Sequence, residues 1–129
     1  MMEYSDIRIF FCTIPTKMTY SFDSLMGQAE AIFNQNPLSG HLFLFLNRSR
    51  DRIKILFWDR DGFGIFYKRL EAGTFQLPDF ESDQPGIELT YSQLTNLLGG
   101  FDLKSGRRRR RNRRPTFQKI PISAGSDLA

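Results

Sequence analysis

The chain has 129 residues, of which 40% are hydrophobic, 14% aromatic and 25% charged, with 13 phenylalanines and one cysteine. That length suits one domain, the lone Cys12 excludes an intramolecular disulfide, and the longest purely apolar run, Leu42–Leu46, is too short to span a bilayer. The net charge of +4 is unevenly spread: residues 1–103 hold nine Lys/Arg against 13 Asp/Glu, a net of −4, and residues 104–129 hold nine against one, a net of +8.

Ile7 to Cys12 reads as a strand closed by Pro15, and the acidic stretch before it has no basic leader character. Ser21 suits a helix N-cap. After it Phe22, Leu25, Met26, Ala29, Ile32 and Phe33 fall on one helical stripe, and Pro37 stops the helix near Asn34–Asn36. Pro37 to Gly40 is a turn signal. Three strands follow, Leu42–Leu46, Arg52–Trp58 and Phe63–Leu70, the last two joined at Asp59-Arg60-Asp61-Gly62, where Asp-Gly suits positive φ angles. Gly73 then precedes a further short piece, Phe75–Leu77, completing an antiparallel meander. Both faces of the sheet are partly apolar, so the first helix covers one and the other needs a second helix, a partner or a ligand. Asp79–Gly86 is an acidic loop, and Thr90 caps a second helix, Tyr91–Leu98, with Tyr91, Leu94, Leu97 and Leu98 on its apolar side and Gly99-Gly100 ending it. The fold class is therefore α+β: a β-meander of about four to five strands with two helices. Residues 1–103 form the domain, and 104–129, rich in Arg, Gly, Pro and Ser, form a disordered basic tail.

An ordered series of motifs carries a family resemblance. It runs Phe22-Asp23-Ser24-Leu25, Pro37-Leu38-Ser39-Gly40-His41-Leu42-Phe43-Leu44-Phe45, Asp51 to Phe63, and Tyr67-Lys68-Arg69-Leu70-Glu71-Ala72-Gly73-Thr74-Phe75. Over residues 7–103 the chain resembles the TnpB accessory proteins (Orf2-like) of the insertion-sequence sixty-six family of bacterial transposable elements. The resemblance implies a small protein encoded beside a separate DDE-type transposase and needed for efficient transposition. The chain departs from the family before the first helix, where Lys17, Thr19 and Tyr20 stand in place of an Asp, an Arg and a Lys.

Chemistry-bearing residues are few. Asp51, Asp59 and Asp61 are of a type that suits Mg²⁺, but aspartates in turns serve backbone roles more often. His41 has no second His or Cys at metal spacing, and Cys12 sits on an apolar strand. No nucleophile, base and orienting group assemble, so no catalytic residue, metal or cofactor is expected. The cations are more informative. Arg48, Arg50, Arg52 and Lys54 cluster on one turn and the strand after it, with Lys68 and Arg69 on the next strand and Trp58, Phe66 and Tyr67 near. Two readings stand: a nucleic-acid-binding face of phosphate contacts and base stacking, or a solvated edge with Arg52 and Lys54 paired to Asp51 or Asp59. Arg107, Arg108, Arg109, Arg110, Arg111, Arg113 and Arg114 put seven arginines in eight residues, a density that attracts duplex phosphates without reading bases. The expectation is a cytoplasmic, non-membrane accessory protein that binds DNA mostly non-specifically, with the transposase of the same element as partner. The alternative is an adaptor whose apolar sheet face, including Leu56, Trp58 and Phe66, docks the transposase or a second copy as a homo-oligomer.

Overall fold

A computed structural model describes residues 6–80, 83–99, 101–102 and 107–108. In chain order the elements are β1 (Ile9–Cys12), α1 (Phe22–Phe33), β2 (Leu42–Leu46), β3 (Arg52–Asp59), β4 (Gly62–Arg69), β5 (Gly86–Leu89), α2 (Tyr91–Gly99), β6 (Phe101–Asp102) and β7 (Arg107–Arg108). The first five strands form one sheet in the order β4-β3-β2-β1-β5. It is mostly antiparallel, as the alternation of strands and tight turns predicts. The exception is β1, which runs parallel to β2 because α1 carries the chain back across the sheet between them. The architecture is thus α+β, with five main strands and two helices.

Local chemistry explains the helices. Ser21 is the N-cap of α1, and its N–H donates to the Ser24 hydroxyl at 2.9 Å. Asn34 ends the helix in the left-handed conformation and returns its N–H to the Glu30 carbonyl. In α2 the cap is reciprocal: Gln93 N–H donates to Thr90 Oγ1 at 3.1 Å, and Thr90 N–H to Gln93 Oε1 at 2.9 Å.

Strand alternation divides the core in two. Beneath α1, Leu25 and Ala29 close over Phe10, Cys12, Phe43, Phe45 and Leu56. Beneath α2, Leu94 and Leu97 close over Ile9, Phe11, Leu44, Leu46, Ile53 and Ile55. Each buried leucine or phenylalanine contributes roughly 1.5–3 kcal/mol, so both helices are held by the sheet rather than by their own propensity.

Four expectations change. Phe75–Leu77 is not a strand; Phe75, 1% exposed, plugs the α2-side core, and its N–H donates to the Arg50 carbonyl. The fifth strand is instead Gly86–Leu89, which pairs with β1. Tyr91 is exposed rather than on the apolar side of α2. In the β3–β4 hairpin the positive φ (56°) falls on Arg60, not on Gly62. Arg107 and Arg108 pair with Asp102 and Phe101 in a short hairpin. The rest of the arginine run, and with it the expected disorder of the tail, lies outside the described residues.

Candidate nucleic-acid interface

The turn between β2 and β3 is organised by one side chain. Asn47 Oδ1 accepts the backbone N–H groups of Asp51 and Arg52, each at 3.0 Å, while its Nδ2 donates to Asp51 Oδ1 at 2.7 Å. The Asp51 and Arg50 carbonyls then accept the N–H groups of Leu70 and Phe75 at 2.8 and 2.7 Å. The turn is therefore bolted to the segment after β4, and Asp51 is engaged by Asn47 rather than by an arginine. Arg50 is held at φ 60°, a left-handed conformation that costs a non-glycine residue roughly 1–2 kcal/mol.

This rigid turn displays Arg48 and Arg50 in solvent and Arg52 half-buried. Among the described residues the ion pairs are Arg8–Glu88, Arg60–Asp59 and Arg69–Glu71, so none involves these three guanidinium groups. The pairing of Arg52 with Asp51 or Asp59 is not formed. Arg48, Arg50 and Asn47 also line a shallow depression of about 200 Å³ whose other wall is Thr13, Ile14 and Leu77. It opens at the carboxyl ends of the parallel pair β1 and β2, the edge where open sheets containing parallel strands commonly receive ligands.

The other predicted cations are committed elsewhere. Lys54, 8% exposed, lies on the α1 face of β3 and points into the protein. Its Nζ donates to the carbonyls of Met18 and Tyr20, both at 2.7 Å, and sits 4.8 Å from the centre of the Tyr67 ring. Burial pushes this ammonium below the usual lysine pKa. Lys54 thus anchors the loop between β1 and α1 and leaves the expected binding face. Lys68 Nζ donates to the Leu98 carbonyl at 3.1 Å, where a cation complements the helix dipole at the end of α2. Arg69 pairs with Glu71, Nη2 to Oε2 at 3.1 Å, beside its cross-strand neighbour Arg52.

The proposed apolar face also divides. Leu56 is 0% exposed and Trp58 half-buried; both lie on the α1 side, with Trp58 edge-on to Phe63 at 5.1 Å. Phe66 is registered opposite Ile55, which places it on the α2 side, and it is 45% exposed. Leu56, Trp58 and Phe66 are therefore not one surface, because residues of opposite parity on paired strands face opposite ways.

His41 Nδ1 accepts the Arg8 backbone N–H at 2.9 Å, so the ring is neutral, and burial first, then the nearby Arg8 charge, lower its pKa. Cys12 is buried with its thiol against the Ile14 carbonyl, and burial raises its pKa. Asp51 precedes β3, whereas Asp59 and Asp61 lie at its far end. No three His, Cys, Asp or Glu side chains come together among the described residues, and no described helix is long and apolar enough to cross a membrane. Reading the sequence missed Asn47; an Asn followed four residues later by Asp in a polar turn is the signal that identifies it.

Comparison with known proteins agrees with the motif series. The uncharacterized protein y4hO of Sinorhizobium fredii is 35% identical over 97 residues, covering 75% of this chain and 83% of the relative. A second protein of that organism, uncharacterized protein y4jC, is 24% identical over 96 residues, covering 74% and 80%. No solved structure matches. The family model for "IS66 Orf2 like protein" matches residues 7–108, from just before β1 through the arginine pair of β7, and the chain belongs to this family.

Proposed function

We propose that the protein is a non-catalytic accessory factor for transposition of an insertion sequence of this family, and that it holds DNA through phosphates for a separate transposase. One observation carries the reading. On a body of net charge −4, three guanidinium groups (Arg48, Arg50, Arg52) stand together on a rigid turn with no acidic partner among the described residues. An exposed arginine kept in a left-handed backbone conformation supports a role beyond folding. The arginine run 107–114 adds a second, sequence-independent attraction for duplex phosphates. Family membership supports the transposition context and a transposase as partner. The folding roles of Lys54 and Lys68 and the pairing of Arg69 with Glu71 set these three apart from the displayed phosphate-binding set.

Gel-shift titration against salt tests this. Removing one phosphate contact flattens the slope of log K against log salt by about 0.9. Changing Arg48, Arg50 and Arg52 together to Gln is expected to lower the slope by roughly 2–3, and deleting 104–129 to lower it further. Absence of any retardation at low salt, or identical slopes for all three proteins, overturns the reading. The alternative reading, an adaptor that docks the transposase or a second copy, retains Phe66 as its exposed apolar residue. Unchanged capture of the transposase by Phe66→Ala counts against that surface.

A further inference from the structure

The two edges of the main sheet are built differently. At one edge β5 is four residues long, follows Pro85 and carries Glu88 at its middle, paired to Arg8. Short length, proline and a mid-strand charge all discourage edge-to-edge pairing. At the other edge β4 runs eight residues, and no described strand pairs with its outer side. Its charges, Lys68 and Arg69, sit together at one end, leaving Phe63 to Tyr67 an uncharged stretch.

We infer that β4 is a self-association edge: two copies of this chain pair their β4 strands antiparallel about a two-fold axis at Ile65. Geometry limits the registers. The two-residue hairpin closes on the pair Asp59–Gly62, and hydrogen-bonded and non-bonded pairs alternate from there. The N–H and C=O groups of Phe63, Ile65 and Tyr67 therefore point away from β3. Registers that join these groups shift in steps of one residue at the axis.

Charge selects among them. With Ile65 opposite Ile65 of the second copy, Arg69 stands opposite Asp61, twice by symmetry. Moving the axis to Phe66 sets Asp61 against Glu71, like against like. Moving it to Gly64 sets Arg60 against Lys68 and shortens the paired region. The favoured register also places Phe66 opposite Gly64 of the second copy. Gly64 has no side-chain room to spare, since an added Cβ would lie 2.5 Å from the Phe57 ring. Phe66 consequently packs beside that ring, which covers an aromatic left 45% exposed in the single chain. The axis is perpendicular to the sheet, so the two α1 helices lie on one side and the two α2 helices on the other.

The test is sedimentation equilibrium on the full chain. A mass twice the 15.0 kDa of one chain is expected. Asp61→Arg and Arg69→Glu each replace two attractions with two repulsions, and each is expected to weaken dimerisation tenfold or more. An equimolar mixture of the two variants restores it. In the mixed dimer the introduced arginine of one chain faces the introduced glutamate of the other, and the native Arg69 of the first faces the native Asp61 of the second. Restoration also shows that both variants fold. Ile65→Cys, oxidised with glutathione disulfide, is expected to link the two copies, while the buried Cys12 stays silent. A monomeric wild type, single variants that dimerise like wild type, a mixture that stays monomeric, or no link through position 65 each overturns the inference.

Discussion

Replacing Lys54 with Met tests whether this cation serves the fold or the nucleic acid. The change keeps most of the aliphatic stem against Tyr67 and removes the ammonium. Two charge-assisted hydrogen bonds disappear, those to the Met18 and Tyr20 carbonyls at 2.7 Å. Each is worth about 1.5–3 kcal/mol when fully shielded. Both acceptors belong to half-buried residues that water reaches in part, so the lower end applies. With the contact to the Tyr67 ring at 4.8 Å adding about 0.5–1 kcal/mol, the loss is about 3.5–4 kcal/mol. For a domain near 100 residues that lowers Tm by about 15–30 °C. Urea unfolding followed through Trp58, the chain's single tryptophan, is expected to show a lower midpoint at unchanged slope. A gel shift at fixed salt is expected to show DNA affinity equal to wild type wherever the variant is folded. A midpoint change below about 0.5 kcal/mol, or a fall in DNA affinity as large as that of Arg48→Gln, refutes the assignment of Lys54 to the fold.

Three further changes probe other parts of the molecule. Because the folded-state pKa of His41 lies below its ordinary value, the unfolded chain takes up the proton first. The stability that His41 contributes is complete above about pH 6.5 and declines as pH falls toward the folded value, with loss of the Arg8 N–H bond to Nδ1. His41→Gln, which keeps an acceptor but does not titrate, is expected to flatten that decline in denaturant titrations between pH 7.5 and 5.5. Arg50→Gly is expected to hold or raise stability by up to about 1 kcal/mol, by relieving the left-handed backbone, while weakening DNA binding; a parallel loss of both contradicts the site. Gly86→Ala is expected to cost about 1–3 kcal/mol, since its Cβ meets the Phe33 ring at 2.6 Å and that ring is wedged against Phe10 and Phe43. Phe33→Leu is expected to recover part of the cost in a double-mutant cycle.

Much of this architecture is legible in the residues themselves. Helical spacing from Phe22 to Phe33 and the stop at Pro37 locate α1, and the Thr90–Gln93 cap locates α2. The period-two pattern of β3 divides its faces correctly. It does not tell a surface lysine from a buried one, because the partners of Lys54 are carbonyls of a distant loop brought over by the β1–α1 connection. Phe75 resembles a strand residue because a buried aromatic beside Leu77 looks the same whether its backbone pairs with a strand or with the turn carbonyl of Arg50. The four residues of β5 are too few to show alternation, and only their pairing with β1 defines them. At the candidate interface the arginine cluster is visible in the sequence, but its division into three displayed and three committed cations depends on long-range contacts.

The interior position of β1 has a bearing on synthesis. β1, the first of the described strands in chain order, is flanked on one side by β2 and on the other by β5, whose Leu89 is the neighbour of Ile9. The hairpins joining β2, β3 and β4 close locally and quickly, whereas the last seam of the sheet waits until almost the whole domain has been translated. Until then the apolar strand Ile9–Cys12 leaves one edge unpaired. A nascent chain arrested before residue 86 would therefore be a client of chaperones rather than a smaller working domain.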